Sequence, residues 1–268
     1  MRINANFILY QTMRKTIYSY NVNGIRAALN KGFPDWLKTS SPDILCIQET
    51  KAGRAQIDIP LFEHLGYNCY IHSAEKKGYS GVMTLSKEEP LQVIQGMGFK
   101  KYDMEGRVLR TDFPDFTLIN VYIPSGTTGD VRQDFKMEFL KDFSVFIAKL
   151  RKEINRVLIS GDFNICHKPI DINHPERHKK SSGFLPEERE WFDHFIADGL
   201  VDTFRMLNDQ PEQYSWWSYR ANSRAKNLGW RIDYHIVTNE LASSVKAANI
   251  LKEVYHSDHC PIAVVLDL

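Results

Sequence analysis

The segment Arg156-Val-Leu-Ile-Ser-Gly-Asp-Phe-Asn164 reads as a strand and the loop that leaves it. Arg156–Ser160 is dominated by aliphatic residues, and Gly161 to Asn164 then supplies a turn, an acid and an amide. The same arrangement recurs along the chain. Asn21 and Asn23 follow Ile17–Tyr20, Glu49 follows Ile44–Gln48, and Asp258-His259 precede Ile262–Leu266. Tyr122 lies within Leu118–Ile123 and Asp233 within Trp230–Val237. In open α/β folds, ligands bind beyond strand ends, where loops bring such residues together. Each residue alone has an ordinary reading: Asn23-Gly24 as a tight turn, Asp162 as a turn cap, His259 as a core histidine partnered by Asp233. Recurrence at so many strand ends points instead to one shared site.

Working outward, strands are predicted over Thr16–Asn21, Asp43–Gln48, Tyr67–Ser73, Gly81–Ser86, Val108–Asp112, Thr117–Ile123, Arg156–Ser160, Trp230–Thr238 and Ile262–Leu266. Phe113-Pro-Asp-Phe116 fits a hairpin turn. Amphipathic helices fit Gln133–Glu153, with Phe135, Phe139, Phe143, Phe146 and Leu150 among its apolar positions, and Pro186–Ile196. Strands alternating with helices, without repeats or linkers, imply one α/β sandwich domain.

Composition sets the outer bounds. The 268 residues suffice for a substantial core without staples, and no apolar stretch is long enough for a membrane span. Cys46, Cys69, Cys166 and Cys260 lack metal-ligand spacing and read as reduced, packed thiols of a cytoplasmic protein. Met1–Thr12 lacks the features of a signal peptide. Net charge is only +1, so a polyanion would have to meet basic residues gathered on one face, with acids concentrated elsewhere. A metal-binding cluster is one such place. Carboxylates and carboxamides are hard oxygen donors suited to Mg²⁺ or Mn²⁺. Joined to an Asp–His pair, an Asn and a Tyr, they are equipment for phosphodiester hydrolysis.

The segments Tyr18-Ser-Tyr-Asn-Val-Asn-Gly-Ile-Arg-Ala27, Ile47-Gln-Glu-Thr-Lys51, Gly78-Tyr-Ser-Gly-Val82, Asn120-Val-Tyr-Ile-Pro124, Ser160-Gly-Asp-Phe-Asn164, Gly183-Phe-Leu-Pro-Glu-Glu-Arg189, Gly229-Trp-Arg-Ile-Asp-Tyr234 and Ser257-Asp-His-Cys-Pro261 resemble, in order, the motifs of the exonuclease III family of AP endonucleases. This family belongs to the endonuclease/exonuclease/phosphatase superfamily. The resemblance runs from about Met13 to the C-terminus and implies a four-layered sandwich, two mixed sheets face to face with helices outside. It also implies a Mg²⁺-dependent DNA repair nuclease cutting double-stranded DNA beside abasic sites, with 3′→5′ exonuclease and 3′-end-cleaning activity in reach.

Roles follow from the resemblance, residue by residue. Glu49 ligates the metal, with Asn21, Asn23 and Asp258 as direct or water-mediated partners and Asp162 and Asn164 adjoining. Asp162 orients or deprotonates the attacking water, or protonates the leaving 3′ oxygen. Asn164 holds that water or a phosphate oxygen. His259, oriented by Asp233, stabilises charge on the phosphate, and Tyr122 contacts it as phenol or phenolate. Arg26, Lys31, Lys51, Gly78, Tyr79, Lys179, Lys180, Arg220, Arg224 and Lys226 are candidates for holding DNA. Trp216, Trp230 and Ile232 match the family's apolar pocket for an extruded, base-free sugar. His178, Ser181 and Thr128 depart from residues that mammalian-type relatives place against DNA. Met13-Arg-Lys-Thr reads as the start of the motif-bearing domain, 13–268, with 1–12 as an extension, and a monomer is the default. Two rivals stand beside this reading: an inositol-phosphate phosphatase or sphingomyelinase-like enzyme on the same fold, and a non-catalytic nucleic-acid-binding protein.

Overall fold

The computed structural model describes residues 13–268, so the extension expected over 1–12 lies outside the described residues. In chain order the strands are β1 (Arg14–Asn21), β2 (Ile44–Gln48), β3 (Asn68–His72), β4 (Val82–Ser86), β5 (Gln92–Gln95), β6 (Val108–Asp112) and β7 (Thr117–Tyr122). They continue with β8 (Val157–Asp162), β9 (Leu200–Asp202), β10 (Trp216–Trp217), β11 (Gly229–Trp230), β12 (Asp233–Thr238), β13 (Val245–Ile250) and β14 (Ile262–Asp267). One sheet is ordered β13-β14-β1-β2-β4-β3 and the other β5-β6-β7-β8-β12-β9. Each sheet has a parallel pair at its centre, β1 with β2 and β7 with β8, among otherwise antiparallel neighbours. The two central pairs are stacked face to face.

A strand buried on both faces is largely apolar and must pair whatever polar groups it carries, and β2, β4, β7, β8 and β12 are buried at every position. Ile17, Ile44, Cys46, Leu118, Leu158, Val237 and Val264 fill the gap between the sheets at one end. Toward the other end the gap turns polar. Gln48 Nε2 donates to Asn120 Oδ1 at 2.8 Å, Asn120 Nδ2 to the Met83 carbonyl at 2.9 Å, and Ser160 Oγ meets His235 Nδ1 at 2.9 Å. Burial pushes the His235 imidazole down to about 3, so it packs as a neutral ring. The carboxyl ends of β1, β2, β7 and β8 open beyond this polar layer.

The helix Asp130–Leu150 covers the second sheet with Phe139, Leu140, Phe143, Ile147 and Leu150. Burying each phenylalanine contributes on the order of 1.5–3 kcal/mol. The helix begins and ends three residues earlier than its apolar period suggests, with Gly129 (φ 108°) at its entry. The run expected as one strand over Trp230–Thr238 is two. Trp230 pairs with Trp216 in a separate ribbon, and β12 starts at Asp233 beside Asp162. The break is at Arg231, whose buried guanidinium donates to Asp171 (2.8 Å) and Asp202 (2.7 Å) while its N–H donates to the Asp171 carbonyl (2.7 Å). Such a network competes with the ladder and turns the chain. Phe113–Phe116 forms the expected hairpin turn, its rings stacked 5.4 Å apart. The four cysteines are free, and no helix among the described residues is long and apolar enough to cross a membrane.

Candidate active site

Four backbone positions beyond the central strands adopt left-handed φ without being glycine: Asn23 (48°), Glu49 (53°), Lys51 (49°) and Asn164 (52°). Asparagine tolerates this region at little cost, but Glu and Lys do not, and such strain concentrates at functional sites. It turns these side chains inward from both sheets. Gly161 permits the approach: a Cβ there would run into the Val121 carbonyl of the neighbouring strand.

A chain of polar contacts crosses from one sheet to the other. Ser215 Oγ donates to Asp233 Oδ2 at 2.7 Å, and the same oxygen lies 2.9 Å from His259 Nδ1. His259 Nε2 is 3.9 Å from Asp162 Oδ2. Asn21 Nδ2 then bridges Asp162 Oδ2 (2.8 Å) and Glu49 Oε1 (2.9 Å). The Asn164 N–H donates to Asp162 Oδ1 at 2.8 Å, and Asn164 Nδ2 to the Ile123 carbonyl at 2.9 Å. Asp258 accepts from Asn23 Nδ2 (3.0 Å), Trp216 Nε1 (3.0 Å) and Ser257 Oγ (3.1 Å).

These contacts set the protonation states. Burial, together with the charges of Asp233 and Glu49, pushes Asp162 up to about 7, despite the opposing pull of His259. Burial alone would lower the His259 imidazole, but Asp233, Asp162 and Asp258 outweigh it and push it up to about 10. Burial and then the Glu49 charge hold the Tyr122 hydroxyl well above its ordinary range, so it is a phenol, with the Arg107 guanidinium 4.8 Å from its ring centre. Burial would raise the Asp258 carboxyl, yet His259, Trp216, Asn23 and Ser257 together hold it low.

The donors fit a cation. Lys51 Nζ already meets Glu49 Oε2 at 2.8 Å and also contacts Asn23 Oδ1, so a positive charge stands where these two oxygens point. Asp162, Asp233 and His259 offer ligand atoms within 4.8 Å of one another, a second grouping that could hold a metal. There Asp233 Oδ2 is shared by Ser215 and His259 Nδ1, while its Oδ1 is buried without a hydrogen-bond partner among the described residues. Asn21, expected among the metal's partners, turns its amide nitrogen to both carboxylates and its oxygen to the Asn23 N–H (2.9 Å). It spaces the acids, and its oxygen keeps a second lone pair beyond the Asn23 N–H.

Beside the acids, Trp216, Trp230 and Ile232 come together over Cys166, Ile172 and Phe184. The two indoles meet edge to face at 5.8 Å, and His178 stands edge-on to Trp230 at 5.0 Å. They share a cleft of about 230 Å³ with Glu49, Tyr122, Asp162, Asn164, Asp258 and His259. The candidate DNA-holding residues differ among themselves. Arg26, Gly78, Lys179, Lys180, Arg220 and Lys226 are exposed. Exposed Lys31 donates to the His256 carbonyl at 3.1 Å. Tyr79 accepts at its hydroxyl from Arg107 (2.9 Å) and Arg132 (3.0 Å). Arg224 is occupied internally: it donates to the carbonyls of Lys252, Val254 and Ser257 and lies against the rings of Trp217 and Tyr255. Sequence reasoning missed Ser215, which adjoins none of the predicted strands, and Arg107, which directly precedes the strand Val108–Asp112.

Hard oxygen donors beside an Asp–His pair, at one rim of two stacked mixed sheets, define a hydrolase for a charged oxygen ester. The chain belongs to the Endonuclease/Exonuclease/phosphatase family, whose signature matches residues 18–259. It is 40% identical over 254 residues to an exodeoxyribonuclease of Bacillus subtilis (strain 168), covering 94% of this chain and 99% of that protein. It is 40% identical over 255 residues to the DNA repair nuclease APEX1 of Danio rerio, covering 93% and 81%. Among solved structures, an AP endonuclease from Archaeoglobus fulgidus superposes with a TM-score of 0.87 at 28% identity, covering 95% of this chain and all of that one.

Proposed function

We propose that this chain is a Mg²⁺-dependent DNA repair nuclease that hydrolyses the backbone 5′ of abasic sites, and that the same centre serves 3′→5′ exonucleolytic and 3′-end-cleaning reactions. It acts as a cytoplasmic monomer on double-stranded DNA. The observation that carries this reading is the continuous Asp233–His259–Asp162–Asn21–Glu49 series facing the cleft of Trp216, Trp230 and Ile232. An oxygen-rich centre of this kind suits a phosphate, and an apolar recess beside it suits a sugar lacking its base.

A bound Mg²⁺ supplies charge neutralisation at the phosphate, and Glu49, Asn23 and Asp258 are the residues that would hold it. The protein's own groups do the rest. Asp162, raised toward neutrality by burial, takes a proton from the attacking water at Oδ2, and the leaving 3′ oxygen, on the opposite face of the phosphorus, takes its proton from solvent. Asn164 orients that water or a phosphate oxygen. His259 stays protonated through neutral pH because Asp233 compensates its charge, so Nε2 donates to the developing oxyanion. Tyr122 donates as a phenol. Arg26, Lys31, Lys51, Gly78, Tyr79, Lys179, Lys180, Arg220 and Lys226 form the rim along which DNA phosphates run.

The test offers metal-stripped protein a duplex with one abasic analogue, an undamaged duplex and a phosphoinositide. Incision 5′ of the lesion that appears with Mg²⁺ and disappears in excess chelator is expected. Full activity in chelator, or preference for the phosphoinositide, would refute the assignment.

A further inference from the structure

Besides Arg231–Asp171, a second fully buried ion pair lies outside the hydrolytic series. Lys136 is on the buried face of the helix Asp130–Leu150, and Glu188 is in the first turn of the helix Pro186–Ala197. Their Nζ and Oε1 are 2.5 Å apart, and both side chains are 0% exposed. Two charges withdrawn from water gain little over apolar packing unless their remaining polar atoms are also satisfied. Here those atoms reach the cleft. Lys136 Nζ donates to the Asn164 carbonyl at 2.8 Å. Glu188 Oε2 accepts the backbone N–H groups of Gly183 (2.6 Å) and Leu185 (3.0 Å). Glu188 Oε1 accepts from Gln133 Nε2 at 3.0 Å, and Gln133 Oε1 accepts from Ser182 Oγ at 2.7 Å.

The segment 182–185 has no slack. Gly183 is at φ 95°, and a Cβ there would press on the Trp230 ring and the Asn164 carbonyl. Asn164, itself at φ 52°, fixes Asp162 through its N–H. The pair therefore grips both Asn164, beside the water-activating acid, and the 182–185 wall beneath the pocket tryptophan.

We infer that Lys136 and Glu188 are a positioning pair: Lys136 fixes Asn164 against Asp162, and Glu188 holds 182–185 against Trp230, so the pair controls turnover and the preference for base-free sugar without contacting DNA. This inference rests on the nuclease reading above.

General behaviour of buried ion pairs separates positioning from packing. Replacing both partners with apolar residues is often neutral for stability, whereas losing one strands a charge. The experiment compares wild type, Lys136→Met/Glu188→Leu and Lys136→Met/Glu188→Gln by melting temperature and by kcat and KM on abasic and undamaged duplexes. The Met/Leu protein strands the Gly183 and Leu185 N–H groups, so it should melt below wild type but stay folded, while its abasic kcat falls by about 10- to 100-fold, as misplacement of a reacting group by about 1 Å can cause, with KM little changed. Its abasic-to-undamaged ratio should narrow. The Met/Gln protein keeps an acceptor for Gly183 and Leu185, so it should lose turnover but keep the ratio. A folded double variant with wild-type kcat would overturn the inference. So would failure of both variants to fold, since the pair would then support the fold rather than the site. Wild type that leaves abasic DNA intact would instead remove the nuclease reading.

Discussion

The proposed hydrolytic centre and the proposed DNA-holding rim are built on opposite terms. In the centre, Asp162, Asp233 and His259 are buried, and their geometry is set by protein partners before any substrate arrives. On the rim, Arg26, Lys179, Lys180, Arg220 and Lys226 are exposed, where water and salt screen each charge. Preorganised dipoles in a water-poor site act strongly on a transition state, whereas screened charges add modest, nearly equal increments of affinity. The first region should therefore govern rate and the second the salt dependence of binding. Arg224 shows that a basic residue on a polar loop can belong to neither region.

The contrast breaks first if the centre tolerates loss. His259→Asn should reduce kcat on abasic duplex by roughly 10²- to 10⁴-fold with little change in DNA affinity. The pH profile sharpens this. Activity should rise as Asp162 ionises, at a pH below 7 once a bound cation lowers it, and fall as His259 loses its proton near 10. In Asp233→Asn the alkaline limb should move to lower pH, since the charge that raises the imidazole is gone; an unmoved limb would show that His259 is not the titrating group. For stability the sign is separate. The folded His259 pKa is raised, so its contribution is complete below about 6.5 and is lost as pH rises toward 10.

A smaller effect is expected in the pocket, where Trp230→Ala should lower abasic incision and narrow the abasic-to-undamaged ratio, because an intact nucleotide costs a few kcal/mol more to extrude. A stably folded variant with an unchanged ratio would exclude Trp230 from lesion selection. The smallest effects belong to the rim. Lys179→Ala/Lys180→Ala should weaken both duplexes alike and flatten the salt slope by roughly one unit for each phosphate no longer neutralised. Arg224→Ala should leave that slope alone and lower the melting temperature, because its guanidinium joins two loops internally. A flattened slope in Arg224→Ala would return it to the rim.

The legible parts of the molecule share a physical cause. Central strands buried on both faces are largely apolar, and polar residues directly beyond them stand out, so β1, β2, β7, β8 and their loop residues can be read locally. The edges cannot. β5 (Gln-Val-Ile-Gln) and β13, with its bulge after Val245, are short or half polar and take their conformation from a neighbour. Within the site, Glu49, Asp162 and His259 are visible, but Lys51 as the partner of Glu49 and Ser215 as the partner of Asp233 depend on pairings distant or hidden in sequence. Lys136 does leave a trace: a lone lysine on the apolar stripe of the long helix, one turn before Leu140.

The matched order of the two sheets has one more consequence. β13-β14-β1-β2-β4-β3 and β5-β6-β7-β8-β12-β9 are the same sequence of strand senses, and β1 stacks on β8 as β2 stacks on β7. A half-turn about an axis running along the strands between the sheets interchanges them. Asn21 then maps to Tyr122, and Glu49, one residue past β2, falls beside Asp162 at the end of β8. The strand order is dyadic while the residues at the strand ends are not: Glu49 pairs with Lys51, whereas Asp162 meets Asn21, Asn164 and His259. A DNA strand has a direction and no dyad of its own, so for the proposed substrate this broken equivalence would let the framework tell the 5′ side of a phosphate from the 3′ side.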